Sequence, residues 1–350
     1  MIIQFFPDVP MDEKDRTPEN RNHPSVMQCF LDFCREESLS SQWTPGTLRV
    51  WQNFGRHLQE VAGTESLDFF ANEGITAFVS HLRLQAGMQD GTALKQYQNL
   101  RWFLRWAVRS GYVSEERIGR TRPKFKLVRK PVVFLRKDEL LRLYHFEIPP
   151  AHTRVLLRTR EGEAYGKTVR CPATLAKVRD MFCFCAFTGL RYSDMAALRW
   201  SDISGGTMSI TTCKTHDRLL IPLHAFSREI LDRYACRSHP GGRIFPVMSN
   251  QKFNDYLKEL CELCGFNEPL TRVCYRAGRR EETTQPKFRL MGSHAGRRSF
   301  ICFALSSGIP PQVVMKWTGH SDYAAMKPYI EIDEQVRSEQ MQVFENHLKE

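Results

Sequence analysis

Between residues 24 and 112, apolar side chains recur every three or four positions in four separate stretches. Val26, Phe30 and Phe33 mark the first, and Leu48, Trp51, Phe54, Leu58 and Val61 the second. Ile75, Phe78, Val79 and Leu82 mark the third, and Leu94, Tyr97, Leu100, Leu104 and Val108 the fourth. That spacing puts each set on one face of a helix. Thr44-Pro45 is a strong start signal: a threonine can cap, and proline suits the first helical position, where no amide hydrogen is needed. No two-residue alternation intervenes, so the stretch predicts a small all-helical bundle with the aromatic stripes as its core.

The pattern then lapses. Residues 117–137 hold nine Lys or Arg and no acid, with two prolines and little helical period. Proline disfavours helix at the residue before it. This is the clearest domain boundary, and a basic extended linker of this kind can lie along a phosphate backbone. The expected organisation is an N-terminal arm at 1–22, a helical domain at 23–116, a linker at 117–134 and a second domain at 135–350.

Helices resume in the second domain. Leu140, Leu141 and Leu143 mark one, and 148–172 reads as a loop with an irregular or hairpin insertion. Pro172 opens a long apolar helix that stops at Thr188-Gly189, and Ser193 is a candidate cap for the short helix that follows. Residues 204–223 change period and read as strand, turn and strand, with Lys214 at the tip. Further helices are expected at 224–236 and 249–264. Residues 267–291 read as a basic irregular segment. Another helix follows His294, with breaks at Gly308 and Gly319. The last stretch, 332–350, reads as a polar helix too thin in apolar residues to be a core helix alone. The whole is mainly α with a small β-sheet or hairpin.

Composition adds a partner. The formal net charge of +11 favours a polyanion, nucleic acid before an acidic membrane. Eleven cysteines, an odd number scattered among apolar positions, suggest reduced thiols in a cytoplasmic protein. Cys261 and Cys264 could be half a zinc site, but no second pair follows at a suitable distance. The N-terminus lacks the pattern of a signal peptide. No apolar run approaches the ~20 residues needed to span a bilayer.

The chemistry-bearing residues gather in Gly292–Ile330, which holds His294, Arg297, Gly319-His320 and Tyr329. Arg191 in FTGLRYSDMAALRW and Lys214 in TTCKTHDRLLIPL complete a set of six. Each alone has an ordinary reading as a surface ion pair, a helix-end charge or a packed ring. Together they suit a phosphate gripped by arginines and attacked by a phenol. Arginine stays charged and forms paired bonds to non-bridging oxygens. Tyrosine, with a free pKa of about 10, needs cations and a histidine nearby. A lysine on a hairpin tip can protonate the departing 5′ oxygen. Attack by Tyr329 would leave a 3′-phosphotyrosine, which conserves the bond energy, so rejoining needs no ATP, metal or other cofactor. Tyr323 is the nearest rival nucleophile.

In these motifs the chain resembles the tyrosine recombinases, or phage integrase family, over nearly all of its length from about residue 24. FTGLRYSDMAALRW is similar to the family's first-arginine box, with Arg191 in that role and Asp194 at a supporting acidic position. CKTHDRLLIPL resembles the lysine hairpin, which makes Lys214 the general acid. SHAGRRSF matches the His-x-x-Arg box at His294 and Arg297, departing from the Leu-Arg-His string of many members but keeping both catalytic positions. WTGHS matches the Gly-His box at His320, and Tyr329 follows nine residues later. VMKWTGHSDYAAMKPYIEI looks most like integrases of conjugative transposons and related mobile elements.

The resemblance implies a SAM-like helical core-binding domain and an α+β catalytic domain closing on double-stranded DNA attachment sites. It implies a homo-tetramer that exchanges strands through a Holliday junction, with the helix after Tyr329 docked on a neighbouring protomer. Integration and excision of a mobile element, with accessory excision or DNA-bending factors, is the expected role. DNA inversion, dimer resolution, a type IB topoisomerase and a catalytically silent DNA-binding regulator are the alternatives. Residues 1–22 are too short for the arm-binding domain of some integrases, so the protein lacks one or the chain is truncated. Lys95, Arg101 and Arg105, with Arg122, Lys124, Lys126, Arg129 and Lys130, are the expected DNA contacts outside the site.

Overall fold

The first two helices of the N-terminal bundle start where the sequence offers a cap. In α1 (Val26–Ser40) the Ser25 hydroxyl accepts from the Gln28 amide at 3.2 Å. In α2 (Pro45–Ala62) Thr44 does the same for Thr47 at 3.2 Å. These are the first elements of a computed structural model that describes residues 24–159, 162–236, 239–330 and Glu345. The expected arm at 1–22 lies outside the described residues. So does the expected exchanged helix, except for Glu345.

α3 (Gly74–Ser80) runs into a widened turn at His81–Gln85, closed by the Ala86 amide on the His81 carbonyl five residues back at 2.9 Å. α4 (Asp90–Arg109) completes the bundle. Its inward face is Ala93, Gln96, Leu100, Phe103, Leu104 and Ala107 with Trp106, whereas Leu94, Tyr97 and Val108 are half-buried. The face is therefore turned from the expected stripe. Phe103 and Trp106 cause this by entering an aromatic cluster: Phe33 lies 5.7 Å from Phe103, 5.5 Å from Trp106 and 4.7 Å from Trp51.

The basic stretch after α4 is less free than a linker. Asp90, buried at the start of α4, accepts from the Lys126 amide at 2.9 Å. Arg83 donates to the Lys124 carbonyl at 2.5 Å and lies 4.7 Å over the Phe125 ring. The compact unit accordingly runs to Lys130, and it also includes residues 272–283.

The second unit comprises 131–271 and 284–350. At its centre is α6 (Pro172–Thr188), in which every residue from Asp180 to Thr188 is buried. A helix that is apolar nearly all round must be enclosed by others, and α5 (Lys137–Tyr144), α8 (Ala225–Asp232), α9 (Asn250–Leu263) and α11 (His294–Ser306) enclose it. The approach of α11 is close because it presents Gly296. A Cβ there would stand 3.1 Å from the Phe182 carbonyl oxygen and 3.2 Å from the Cys185 Cβ.

The expected hairpin insertion is β1 (Arg154–Arg158) paired antiparallel with β2 (Ala164–Thr168). β3 (Ile203–Ser204), β4 (Thr207–Thr211) and β5 (Arg218–Pro222) form an antiparallel sheet in which Met208 opposes Ile221 and Ile210 opposes Leu219, all four buried. α7 (Tyr192–Ala197) precedes it and takes Arg191, not Ser193, at its N-cap. The supposedly irregular 267–291 is instead a hairpin, β6 (Pro269–Arg276) and β7 (Arg279–Pro286), followed by α10 (Lys287–Leu290). Its charges fall on both faces, which hides the two-residue period. Its turn, Ala277-Gly278, holds both residues at positive φ, as tight hairpins favour. α12 (Pro311–Thr318) and α13 (Lys327–Ile330) finish the described fold. No described helix is long and apolar enough to cross a membrane.

One buried ion pair joins α10 to α5. The Lys287 ammonium lies 2.9 and 2.7 Å from the two Glu139 oxygens, and both residues are buried. Removing one partner strands the other charge. Lys287→Met is therefore expected to cost about 3–5 kcal/mol in urea unfolding. Adding Glu139→Gln, which keeps an acceptor for the Arg136 amide, should recover more than half of that. A single variant as stable as the parent would contradict this account.

Candidate active site

Two helices of the second unit end in the same way. α6 stops at Gly189, with φ 73°, and α12 stops at Gly319, with φ 61°, both in the left-handed region that glycine favours. Each ending frees a carbonyl near the C-terminus of its helix, where the dipole is negative. Arg297, on the first turn of α11 and 1% exposed, takes both. Its Nη1 donates to the Gly189 carbonyl at 2.9 Å, and its Nη2 donates to the Thr318 carbonyl. Among the described residues no carboxylate forms an ion pair with it. Burial, and then repulsion by Arg191, push its pKa down to about 10, so it stays charged at neutral pH.

Arg191 follows the Gly189 turn and sits half-buried at the N-cap of α7. Its Nη1 is 3.8 Å from the Asp194 carboxylate. That nitrogen and Arg297 Nε are buried without a hydrogen-bond partner among the described residues. Asp194 is buried too, and its other oxygen accepts from the Cys213 amide at 2.8 Å. One carboxylate thus steadies the arginine and the turn that carries Lys214. Lys214 is exposed in that β4–β5 turn, which is also closed by Thr212 and Thr215 hydroxyls 2.8 Å apart.

His320 follows Gly319. The Thr318 hydroxyl donates to the Val314 carbonyl at 2.6 Å, so it can accept from His320 Nδ1–H at 2.8 Å. Arg297 Nη2 lies 3.2 Å from Nε2 of the same ring. Burial, then Arg297, Arg191 and His294, push the His320 pKa down to about 4. His294 opens α11 and keeps an exposed edge. Desolvation of its packed side, then the charges of Arg298, Arg297, Arg191 and Lys214, hold it at about 4 as well.

Tyr329 lies half-buried on α13, packed on the small core of Ile301, Ala304, Leu305, Val314 and Met326. It is close enough to Arg297 that a phenolate there favours the charged guanidinium. Tyr323 is 52% exposed in the turn before it. The fold thus gathers Arg191, Asp194, Lys214, His294, Arg297, His320 and Tyr329 in one neighbourhood. Sequence reading passed over Arg298, half-buried beside His294, and Thr318, which holds Arg297 and His320 together. The WTGH string did contain Thr318, but its role depends on the left-handed turn.

In the first unit, Lys95, Arg105, Arg122, Lys124, Lys126, Arg129 and Lys130 are exposed and Arg101 is half-buried. Arg109 is tied to Glu37 at 2.9 Å. Cys261 and Cys264 are buried, and burial pushes the Cys264 thiol up to about 12, so neither is poised as a metal ligand.

A model of the phage integrase family matches residues 171–335, and one of the phage integrase SAM-like domain matches residues 25–125. The chain belongs to the phage integrase family of tyrosine recombinases. No curated protein matches this family member in sequence. Its fold is similar to that of a lambda integrase dimer bound to a COC′ core site (17% identity, 95% of this chain and 84% of that one, TM-score 0.63). It is also similar to a lambda integrase tetramer bound to a Holliday junction (16%, 91% and 84%, 0.62). The Tn1549 transposon integrase in complex with circular intermediate DNA is a further neighbour (13%, 91% and 99%, 0.60).

The two depressed histidines set a pH dependence for the tyrosine recombinase fold. Above pH 6.5 both rings are neutral in the folded and the unfolded chain. Between 6.5 and about 4 the unfolded chain takes up protons that the folded site refuses, so stability falls with pH; below about 4 the loss levels off. His294→Gln with His320→Gln should flatten part of that fall, read from unfolding midpoints between pH 7.5 and 4. An unchanged slope would show that these rings titrate normally.

Proposed function

We propose that this protein is a site-specific DNA recombinase that cleaves and rejoins strands through a 3′-phosphotyrosine link at Tyr329. The observation that carries the reading is the buried Arg297 guanidinium. It is held by two helix-end carbonyls, has no ion-paired carboxylate among the described residues, and stands near a phenol, a second arginine and two neutral histidines. Such a site stabilises an anion whose charge grows during reaction.

In the reaction, Arg191 and Arg297 grip the non-bridging oxygens of the scissile phosphate, and Asp194 keeps Arg191 and the Lys214 turn in register. The Tyr329 oxygen bonds to phosphorus as neutral His294 takes its proton. His320 accepts from Arg297 Nη2 and so holds the guanidinium in place beside the phosphate. The bond from phosphorus to the 5′ oxygen breaks, and Lys214 supplies that oxygen's proton. Reversal by another 5′ hydroxyl rejoins the strand. Lys95, Arg101 and Arg105, with Arg122, Lys124, Lys126, Arg129 and Lys130, track the phosphate backbone, which gives affinity without base readout.

The likeness to the Tn1549 integrase supports integration and excision of a mobile element such as a conjugative transposon. The lambda integrase tetramer on a Holliday junction supports a tetramer on synapsed attachment sites; exchange of the chain after Tyr329 between protomers is part of the same proposal. Accessory excision or DNA-bending factors and a cytoplasmic setting belong to the same reading.

Covalent trapping tests the chemistry. Duplexes from the DNA flanking the gene, nicked so that the cleaved end diffuses away, should give a protease-sensitive adduct on a denaturing gel without metal or ATP. Tyr329→Phe should bind DNA and form none. Arg191→Ala should slow adduct formation by about 10²–10³. Lys214→Ala should also be slow, and a sulfur in place of the 5′-bridging oxygen should restore it, because a thiolate leaves unprotonated. An adduct that survives Tyr329→Phe would move the nucleophile to Tyr323. Tight salt-sensitive binding with no adduct would favour a DNA-binding regulator.

A further inference from the structure

The N-terminal bundle contains a cluster that the recombinase reading does not use. His57 and Glu60 lie three apart on α2, and His81 opens the widened turn after α3. Three donor atoms converge. His57 Nδ1 is 3.1 Å from His81 Nε2, His81 Nε2 is 3.1 Å from Glu60 Oε2, and His57 Nδ1 is 3.6 Å from the same oxygen. A tetrahedral ion with bonds of about 2.0–2.1 Å sets its ligand atoms about 3.3 Å apart. The triangle already has that size.

We propose that His57, Glu60 and His81 form a binding site for one zinc-class divalent cation that ties α2 to the turn leading into α4.

The surroundings support this assignment. Gln85 Oε1 lies 2.6 Å from His81 Nδ1. An amide oxygen can only accept, so Nδ1 carries the proton and Nε2 turns its lone pair into the triangle. An outer partner of this kind fixes the tautomer of metal-bound histidines. His81 and Gln85, four residues apart in the widened turn, lie on one face of it. His57 is 2% and His81 7% exposed, whereas the Glu60 side chain is 43% exposed. The inner side is closed, and the fourth position opens towards water. Two imidazoles and one carboxylate are a common zinc donor set.

One neighbour opposes the ion. Arg56 donates to His57 Nε2 at 3.0 Å and to Glu60 Oε1 at 3.2 Å. Metal at Nδ1 requires a proton on Nε2, so Arg56 must swing away. It is exposed and can do so. Without metal, His57 Nδ1–H donates to His81 Nε2, and the same atoms form a closed hydrogen-bond chain from Arg56 to Gln85.

The test uses the full chain, stripped with a chelator and titrated with zinc against a chromophoric competitor. One zinc per chain is expected, and cobalt in its place should give the visible bands of a four-coordinate nitrogen and oxygen site. His81→Gln should abolish binding. Glu60→Gln, at a half-exposed position that keeps the fold, should weaken it by at least about tenfold, and Gln85→Leu by about 10–100-fold. Arg56→Ala should tighten it, which a purely structural hydrogen-bond chain would not do. Serine at the exposed Cys171, Cys213 and Cys236 should leave it unchanged. No uptake at micromolar zinc, uptake that survives both His81→Gln and Glu60→Gln, or uptake lost with the cysteines would overturn the assignment.

Discussion

The candidate site depends on how one buried charge is satisfied. An unpaired guanidinium in a protein interior is expensive, and the usual remedy is a carboxylate. Arg297 has two carbonyls instead, from Gly189 and Thr318. Carbonyls at helix ends carry only partial negative charge, so they anchor the side chain without neutralising it. A carboxylate partner would have held Arg297 equally well and cancelled the field that an incoming anion needs. The two left-handed glycines matter for the same reason. Each turns its chain so that a carbonyl points at α11. At Gly189 a Cβ would stand 2.7 Å from Phe300, so no other residue fits there without movement.

The rest of the site follows from that anchor. Gly296 lets α11 settle on α6, which brings residue 297 beneath the end of α6. The Gly189 turn then places Arg191 at the start of α7, and Asp194 one turn on reaches the Cys213 amide. Through Asp194, the α6–α7 junction fixes one end of the β4–β5 turn while Lys214 itself stays exposed. The geometry that must be exact is built on helices. Lys214 is left on a hairpin tip, where a long flexible side chain costs little.

The sequence disclosed the elements better than their orientations. Caps and proline starts were legible because they act within a few residues: Thr44-Pro45 opens α2, and Pro172 opens α6. The six candidate residues stood out because their chemical types and order are unusual together. The inward face of α4 was misjudged, because periodicity marks a stripe but not which rings will cluster on a neighbouring helix. The β6–β7 hairpin was missed because strands charged on both faces show no alternation. Thr318 and Arg298 were missed for a third reason. Their roles depend on a carbonyl direction and on proximity to His294, and both arise only when segments far apart in the chain meet.

Charge balance says why the site should be unstable by itself. Arg191, Lys214, Arg297 and Arg298 all bear on His294, and Asp194 is the carboxylate among them. Burial first, then these cations for His294 and Arg297 and Arg191 for His320, make both rings refuse protons. Three buried guanidinium nitrogens, on Arg191, Arg297 and Arg298, go without hydrogen-bond partners among the described residues. A fold optimised for stability alone would place an acid here or remove a cation. An anion bound between the arginines would satisfy those nitrogens, relieve the repulsion and raise the affinity of both imidazoles for protons in one step. The strain is therefore of the kind that binding an anion would remove, and the free energy it holds would become available at that moment.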